Sequence, residues 1–457
     1  MISFNLSELT SYPNISLKGR DLCISKVSTD SRDCEGALFV ALIGERFDGH
    51  VFVEKAIENG AIAVAVSNGQ TYEPVSTIKC ENTLDLLGYC GLLVRLKSKA
   101  LVLSLTGSCG KTTVKEFTYN ILERCGKSLA TLGNFNNDVG VPLTLLRLEK
   151  DTNFAVIEQG ASHPQDIART CRFVKSKIAL INNVGGAHIE GFGSSYGIYK
   201  GKSEILDDVF LNDGIGIVPC DSPWYKNWCD DYAKQFNNKK LLSFGTKDTA
   251  TVQLLDLTAS LEKLEFKLRL PNGEIIPITL NVLGEHNALN AAAAALLAYC
   301  AGASPLDIRL GLSQSKNLKG RLCAKEFDNF TLIDDAYNAS FGAVIAACKT
   351  LSMCKGHKVM IFGDMGELGS ESQDLHTKVG EFAKDYVDEL LCVGDMSKLT
   401  VKAFGAKAKH FNCHLDLVKY AVGLLDKQYC SFLVKGAHSM NMQTITDELV
   451  LHGERIA

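Results

Sequence analysis

The stretch LVLSLTGSCGKTTVKEFTYNILERC, Leu101 to Cys125, decides the fold. Its first residues, LVLSL, carry the signal of a buried strand, and KTTVKEFTYNILERC repeats apolar residues at helical spacing. Strand, glycine turn and helix in that order open a parallel α/β domain. Between them TGSCG turns the chain so that backbone N–H groups can face phosphate oxygens, and the helix N-terminus adds partial positive charge. Lys111 can then reach the outer phosphates of a nucleotide, and the Thr112 hydroxyl can hold Mg²⁺. The candidate ATP-binding residues here are Thr106, Gly107, Ser108, Gly110, Lys111, Thr112 and Thr113. The longer pattern GxxxxGK[ST] would need glycine at 105, where this chain has Leu105, so only the compact form TGxxGKTT is met. The competing reading is a glycine turn that only reverses the chain; the flanking strand and helix argue against it. Cys109 sits inside the loop, where helix-end potential can lower a thiol pKa, and a small tolerated residue is the plainer reading.

Downstream, FAVIEQG and KIALINNV read as further strands, and GEHNALNAAAAALLAYCAG as a closely packed helix. From Asn317 the alternation starts again: FTLIDDA, a helix after Ser340, KVMIFGD, a helix after Ser370, DELLCVGD, SFLVKGA and a last helix. That pattern predicts a smaller open parallel sheet of dinucleotide-binding type, whose ligands sit at the carboxyl ends of strands, here after Asp334, Asp364, Gly394 and Lys435. Upstream, GALFVAL and GAIAVAVS alternate with turns and end in an amphipathic stretch, NTLDLLGYCGLLVRLKSK. The expected fold is α/β with three domains: 1–98, a small α/β unit; 99–316, a central parallel-sheet unit with the phosphate loop; and 317–457, a Rossmann-like unit. A chain of 457 residues exceeds what one core supports.

Composition narrows the partners. Lys and Arg number 48 and Asp and Glu 52, a net charge of −4, so no basic field recruits nucleic acid or a membrane surface. Sixteen cysteines are scattered without a CxxC pair or a zinc spacing. The N-terminus lacks the features of a signal peptide, and the longest apolar run, Ala291–Ala298, is far shorter than the ~20 residues that span a bilayer. A cytoplasmic protein with reduced thiols is expected, and a monomer suffices.

Several ordered segments together resemble the Mur ligase family over nearly the whole chain. STDSRDCEGALFVALIGERFDGH is similar to its uridine-nucleotide-binding segment, TGSCGKTTVKEF to its ATP loop and GNFNNDVGVPLTLL to its substrate-side motif. EQGASHPQDIA and AHIEGFGS resemble its metal-site segments, GKSEI its modified-lysine segment and GEHNALNAAAA its adenine contact. GRLCAKE and DDAYNAS resemble the start of its third domain, although Ser340 and Phe341 stand where the family commonly has a proline. The pairing of NNDVGVPLTLL with GDMGELG points to the member that adds a dipeptide. The resemblance implies an ATP-dependent ligase that joins D-alanyl-D-alanine to UDP-N-acetylmuramoyl-tripeptide through an acyl phosphate, with two Mg²⁺ ions.

Residue by residue, the resemblance implies Lys111 as phosphate clamp, and Thr112 and Glu158 as ligands of one Mg²⁺. His188 and Lys202, the latter carbamylated, would hold the second; Lys200 lies two residues before Lys202 and competes for that assignment. Asn287 and Asn290 would contact adenine, with helix capping as the alternative. Arg321 and Asp335 would reach the ATP phosphate and ribose when the third domain closes. Ser31 and Arg32, with the GERFDGH turn, would grip the uridine diphosphate, and Asn136 and Asn137 would approach the peptide-bearing substrate, with loop capping as a competitor. Two alternatives stay open: another Mur-type or folylpolyglutamate-type ligase adding a single amino acid, and a P-loop nucleotide switch without acceptor-dependent turnover.

Overall fold

The computed structural model describes residues 1–45, 47–186, 188–236 and 240–456. Arg46 of the GERFDGH turn and Ala187 of the AHIEGFG segment therefore lie outside the described residues. Three large sheets organise the chain.

The phosphate-loop strand, Leu101–Thr106, lies inside a nine-stranded sheet ordered Ser128–Ala130, Phe154–Glu158, Leu101–Thr106, Ile178–Ile181, Ile215–Pro219, Leu241–Gly245, Val252–Ala259, Leu264–Arg269, Ile275–Leu280. Pairing is parallel from the first of these strands to Val252–Ala259. The last two strands then pair antiparallel, an addition at the edge of the expected parallel sheet. Residues of the parallel strands are apolar on both faces because helices cover both. In the antiparallel part Leu264, Phe266 and Leu268 are buried while Glu265 and Lys267 are exposed, the alternation of a sheet wet on one side.

The loop helix, Lys111–Leu122, is gripped by two others. The helix His286–Cys300 presents an Ala-rich stretch whose residues 291–298 are all buried, allowing close approach. On the helix Pro305–Ser313, a Cβ added at Gly311 would come within 2.5 Å of the Ile121 Cα. Small residues thus fix the axis that aims the loop.

The C-terminal sheet runs Cys323–Glu326, Phe330–Asp335, Cys430–Lys435, His357–Gly363, Glu389–Val393, Ala408–Phe411. It is parallel apart from its antiparallel edge strand Cys323–Glu326. The N-terminal sheet, ordered Ser16–Lys18, Ser76–Lys79, Ala63–Val66, Leu38–Val40, Val27–Ser28, is parallel apart from its first pair. The helix Thr83–Lys97 leads from it to the phosphate-loop strand; Asn82 caps it by accepting from Leu84 and Asp85 N–H at 2.8 and 3.2 Å. Gly88 on this helix admits the Phe173 ring, since a Cβ there would lie 2.3 Å from it. Among the described residues no helix is long and apolar enough to cross a membrane.

Candidate active site

Register brings the first functional groups together. Leu105 pairs with Glu158 and Thr106 with Ile181, so Glu158 and Asn182 end up flanking the loop that starts at Thr106. Gly110 takes φ +75°, a left-handed conformation, and starts the helix. A Cβ there would lie 2.7 Å from both Asn182 Nδ2 and Asn290 Oδ1, so glycine is required twice over. Asn182 donates to the Cys109 carbonyl (3.0 Å) and to Asn290 Oδ1 (2.8 Å), and Asn183 donates to the same carbonyl (2.9 Å) and accepts from Cys109 N–H (2.8 Å). Asn290 Nδ2 donates to Asn287 Oδ1 (2.8 Å), and Asn287 Nδ2 donates to the Leu283 carbonyl (2.6 Å). Asn287 and Asn290 are thus nearly buried and their amides brace the loop.

Lys111 folds back to donate to the Gly107 carbonyl at 2.9 Å. Glu158 is buried at its strand end; Oε1 accepts from Asn136 Nδ2 (2.8 Å), while Oε2 is buried with no hydrogen-bond partner among the described residues. Its backbone is held by Thr131, whose Oγ1 accepts from Glu158 N–H (3.0 Å) and whose carbonyl accepts from the buried Lys115 Nζ (2.6 Å). Asn137 Oδ1 accepts from Gly140 N–H at 2.8 Å, the loop-capping alternative realised.

Lys202, on the helix Ser195–Leu211, is fully buried; its Nζ lies 5.8 Å from the centre of the Phe192 ring and has no hydrogen-bond partner among the described residues. Burial, with Lys111 nearby, pulls its pKa down to about 7. Lys200 instead points outward and pairs with Asp231 at 2.8 Å, which raises its pKa. The two lysines that sequence alone leaves in competition are therefore in opposite environments.

The C-terminal sheet faces the loop. Arg321 stacks over the Tyr337 ring at 4.2 Å and donates to Thr112 Oγ1 at 3.0 Å. Ser340 Oγ lies 3.0 Å from Cys109 Sγ. Asp335 and Lys435 pair in register across neighbouring strands and form a buried ion pair at 2.5 Å. Burial raises the Asp335 pKa and Lys435 opposes that shift. The Glu367 carboxylate, in the GDMGELG loop, lies against His188 Nδ1.

One cavity of about 1460 Å³ is lined by Lys111, Thr112, Glu158, His188, Asn290, Arg321, Asp335 and both Asn136 and Asn137, among others. Ser31 and Arg32 are not brought to it. Asn59 Nδ2 donates to the Ser31 carbonyl (2.8 Å), and the exposed Arg32 pairs with Asp30 of its own turn at 2.7 Å. The individual roles of Asn182, Asn183 and Lys115 escape a reading by motif, and those of Tyr337, Lys435 and Glu367 show only through their partners, although DDAYNAS, the strand end at Lys435 and GDMGELG are visible in the sequence.

The donor set tests the expected cation. Among the described residues no group of three or more His, Cys, Asp or Glu side chains could hold a metal by itself. Buried Thr106 Oγ1, Glu158 Oε2 and Lys202 Nζ nevertheless lack partners. A Mg²⁺ ion held by one carboxylate, a hydroxyl and substrate phosphates fits such a site, because Mg²⁺ keeps waters and takes few protein ligands.

Family models match three segments: Mur ligase family, catalytic domain, at residues 24–87; Mur ligase middle domain at 105–298; and Mur ligase, glutamate ligase domain, at 320–438. The chain belongs to the Mur ligase family, and is an ATP-dependent ligase. Among its relatives, the UDP-N-acetylmuramoyl-tripeptide–D-alanyl-D-alanine ligase of Escherichia coli is 38% identical over 99% of this chain and 100% of its own. MurF from Acinetobacter baumannii superposes with a TM-score of 0.91 at 33% identity, covering 98% of this chain and 99% of that one. MurF from Thermotoga maritima, solved with ADP, gives 0.83 at 26% identity, covering 94% and 98%.

Proposed function

We propose that this chain joins D-alanyl-D-alanine to UDP-N-acetylmuramoyl-tripeptide, with ATP converted to ADP and phosphate, in peptidoglycan precursor synthesis. The observation that carries the reading is the single cavity in which the phosphate loop, the unpartnered carboxylate oxygen of Glu158 and the strand ends of the C-terminal sheet meet.

A carboxylate is a poor electrophile, so the acceptor's terminal carboxylate oxygen first attacks the γ-phosphorus of ATP. The bond from that phosphorus to the bridging oxygen breaks and ADP leaves. The dipeptide amine then attacks the acyl carbon, the carbon–oxygen bond to phosphate breaks, and the amine loses a proton. Negative charge grows on the transferring phosphoryl group and on the tetrahedral intermediate, where preorganised cations and N–H donors act most strongly. Lys111 and the loop N–H groups hold the phosphates. Thr112 and Glu158 would hold one Mg²⁺, whose bound form neutralises phosphate charge. His188 and a carbamylated Lys202 would hold the second: a buried lysine with pKa about 7 offers the neutral amine that CO₂ takes up, and the product is an anion. Arg321 would exchange its Thr112 contact for a phosphate, Asp335 would face the ribose, Asn287 and Asn290 the adenine, and Asn136 and Asn137 the peptide.

We also place the boundaries at 1–98, 99–316 and 317–457, and Ser31 and Arg32 at the uridine diphosphate. The protein acts as a cytoplasmic monomer; the sixteen free cysteines support the reducing compartment. The test is phosphate release from ATP with the tripeptide precursor, comparing D-alanyl-D-alanine with single amino acids. Release requiring both the precursor and the dipeptide, with a pentapeptide product by mass, supports the proposal. Release with a single amino acid transfers the chain to a neighbouring ligase, and release independent of any acceptor contradicts ligation.

A further inference from the structure

We propose that Glu367 is the positioning residue for His188, so that the C-terminal sheet completes the second cation site of the central sheet. This rests on the reading of His188 as a cation ligand. Glu367 is carried by the loop that follows the strand His357–Gly363, whereas His188 precedes the short helix Ile189–Phe192. The two loops dock: Glu190 N–H donates to the Glu367 carbonyl at 3.5 Å, and Gly369, at φ +51°, packs beside Glu190. Both residues hold left-handed backbone, φ +61° at His188 and +59° at Glu367. For side chains with a Cβ that conformation costs free energy, and it persists where surroundings enforce it.

Among the described residues the polar contacts of the imidazole fall on Nδ1: the Glu367 carboxylate, and Ser162 Oγ at 3.4 Å. Among the described residues nothing hydrogen-bonds Nε2. A carboxylate on Nδ1 holds the proton there and leaves the Nε2 lone pair bare, the tautomer and ring setting a metal needs. Since Glu367 arrives with the C-terminal sheet, cation capture at His188 is coupled to docking of that sheet. Loss of an outer partner of this kind typically costs about 10–100-fold in metal affinity.

The test counts Mn²⁺ bound to the full chain by electron paramagnetic resonance, with ADP and bicarbonate present. Wild type, Glu367→Gln, Glu367→Ala and His188→Ala are compared. The expected result is one nucleotide-linked Mn²⁺ in all four proteins, with the second weakened about 10–100-fold in Glu367→Ala, less in Glu367→Gln, and lost in His188→Ala. Imidazole ¹⁵N shifts should show the Nδ1–H tautomer at His188 in wild type and a mixture in Glu367→Ala, at unchanged thermal melting. If His188→Ala loses the second Mn²⁺ while both Glu367 variants keep it, the positioning role is overturned. If His188→Ala keeps it, the reading of His188 as ligand falls, and this inference with it.

Discussion

The phosphate-loop wall and the TDSRD turn respond to the same demand, binding a phosphorylated ligand, in opposite ways. In the loop wall Thr106, Glu158 and Lys202 are buried with polar atoms left unpartnered, which folding alone would select against. In the turn Arg32 is 86% exposed and saturated by Asp30, whose carboxyl its guanidinium holds down at about 2. A buried unpaired group can only be repaid by a ligand, whereas an exposed pair loses little when it is broken. The first region is therefore expected to carry rate, and the second affinity.

The largest effect should break the loop wall. Lys202→Ala is expected to lower turnover by about 10³-fold or more, by analogy with removal of preorganised charge stabilisation, and bicarbonate should not restore it. Lys202 also predicts a sign in pH. Its folded pKa of about 7 lies below the ordinary 10.5, so between these values the unfolded chain binds the extra proton. In CO₂-free buffer, stability relative to Lys202→Met should rise as pH increases through that interval, and stay flat and low below about 7. Chemical denaturation across pH checks this; a fall with rising pH would remove the buried free amine.

Next comes Gly110→Ala, which forces a Cβ onto left-handed backbone against Asn182 and Asn290. It should cost about 1–3 kcal/mol in stability and weaken ADP binding, measured by melting and calorimetry. Arg32→Ala should sharpen the contrast by raising KM for the UDP-linked acceptor about 10-fold with kcat nearly unchanged, the signature of uniform binding. An equal loss in kcat would place the turn inside the catalytic machinery. The smallest effect is expected from Lys200→Ala, which removes one exposed pair worth about 0–1 kcal/mol and should leave turnover within about twofold.

Legibility followed the same division. The strands Leu101–Thr106, Phe154–Glu158 and Ile178–Ile181, and the alternation after Asn317, are visible because buried parallel strands are continuous apolar runs. The antiparallel addition at 252–280 shows its period-two alternation in LEFKLRL, yet a glycine-loop opening biases the whole block toward a parallel reading. The helix Ser397–Phe404, the strand Ala408–Phe411 and the helix His414–Leu425 lack such clean signals and went unanticipated. Within the site, Lys111 and Thr112 are legible because their spacing is local. Glu158 and Lys202 look like an ordinary strand-end charge and helix lysine until burial is known. Lys435 and Glu367 depend on strand register and loop docking, which no local pattern encodes.

The most direct measurement of the ligase account follows oxygen. UDP-N-acetylmuramoyl-tripeptide carrying ¹⁸O in its terminal carboxylate is turned over with ATP and D-alanyl-D-alanine, and the products are weighed. Activation as an acyl phosphate requires one ¹⁸O to leave in the released phosphate, alongside ADP and a pentapeptide retaining the other. Label appearing in AMP, or phosphate released without ¹⁸O, would contradict the account.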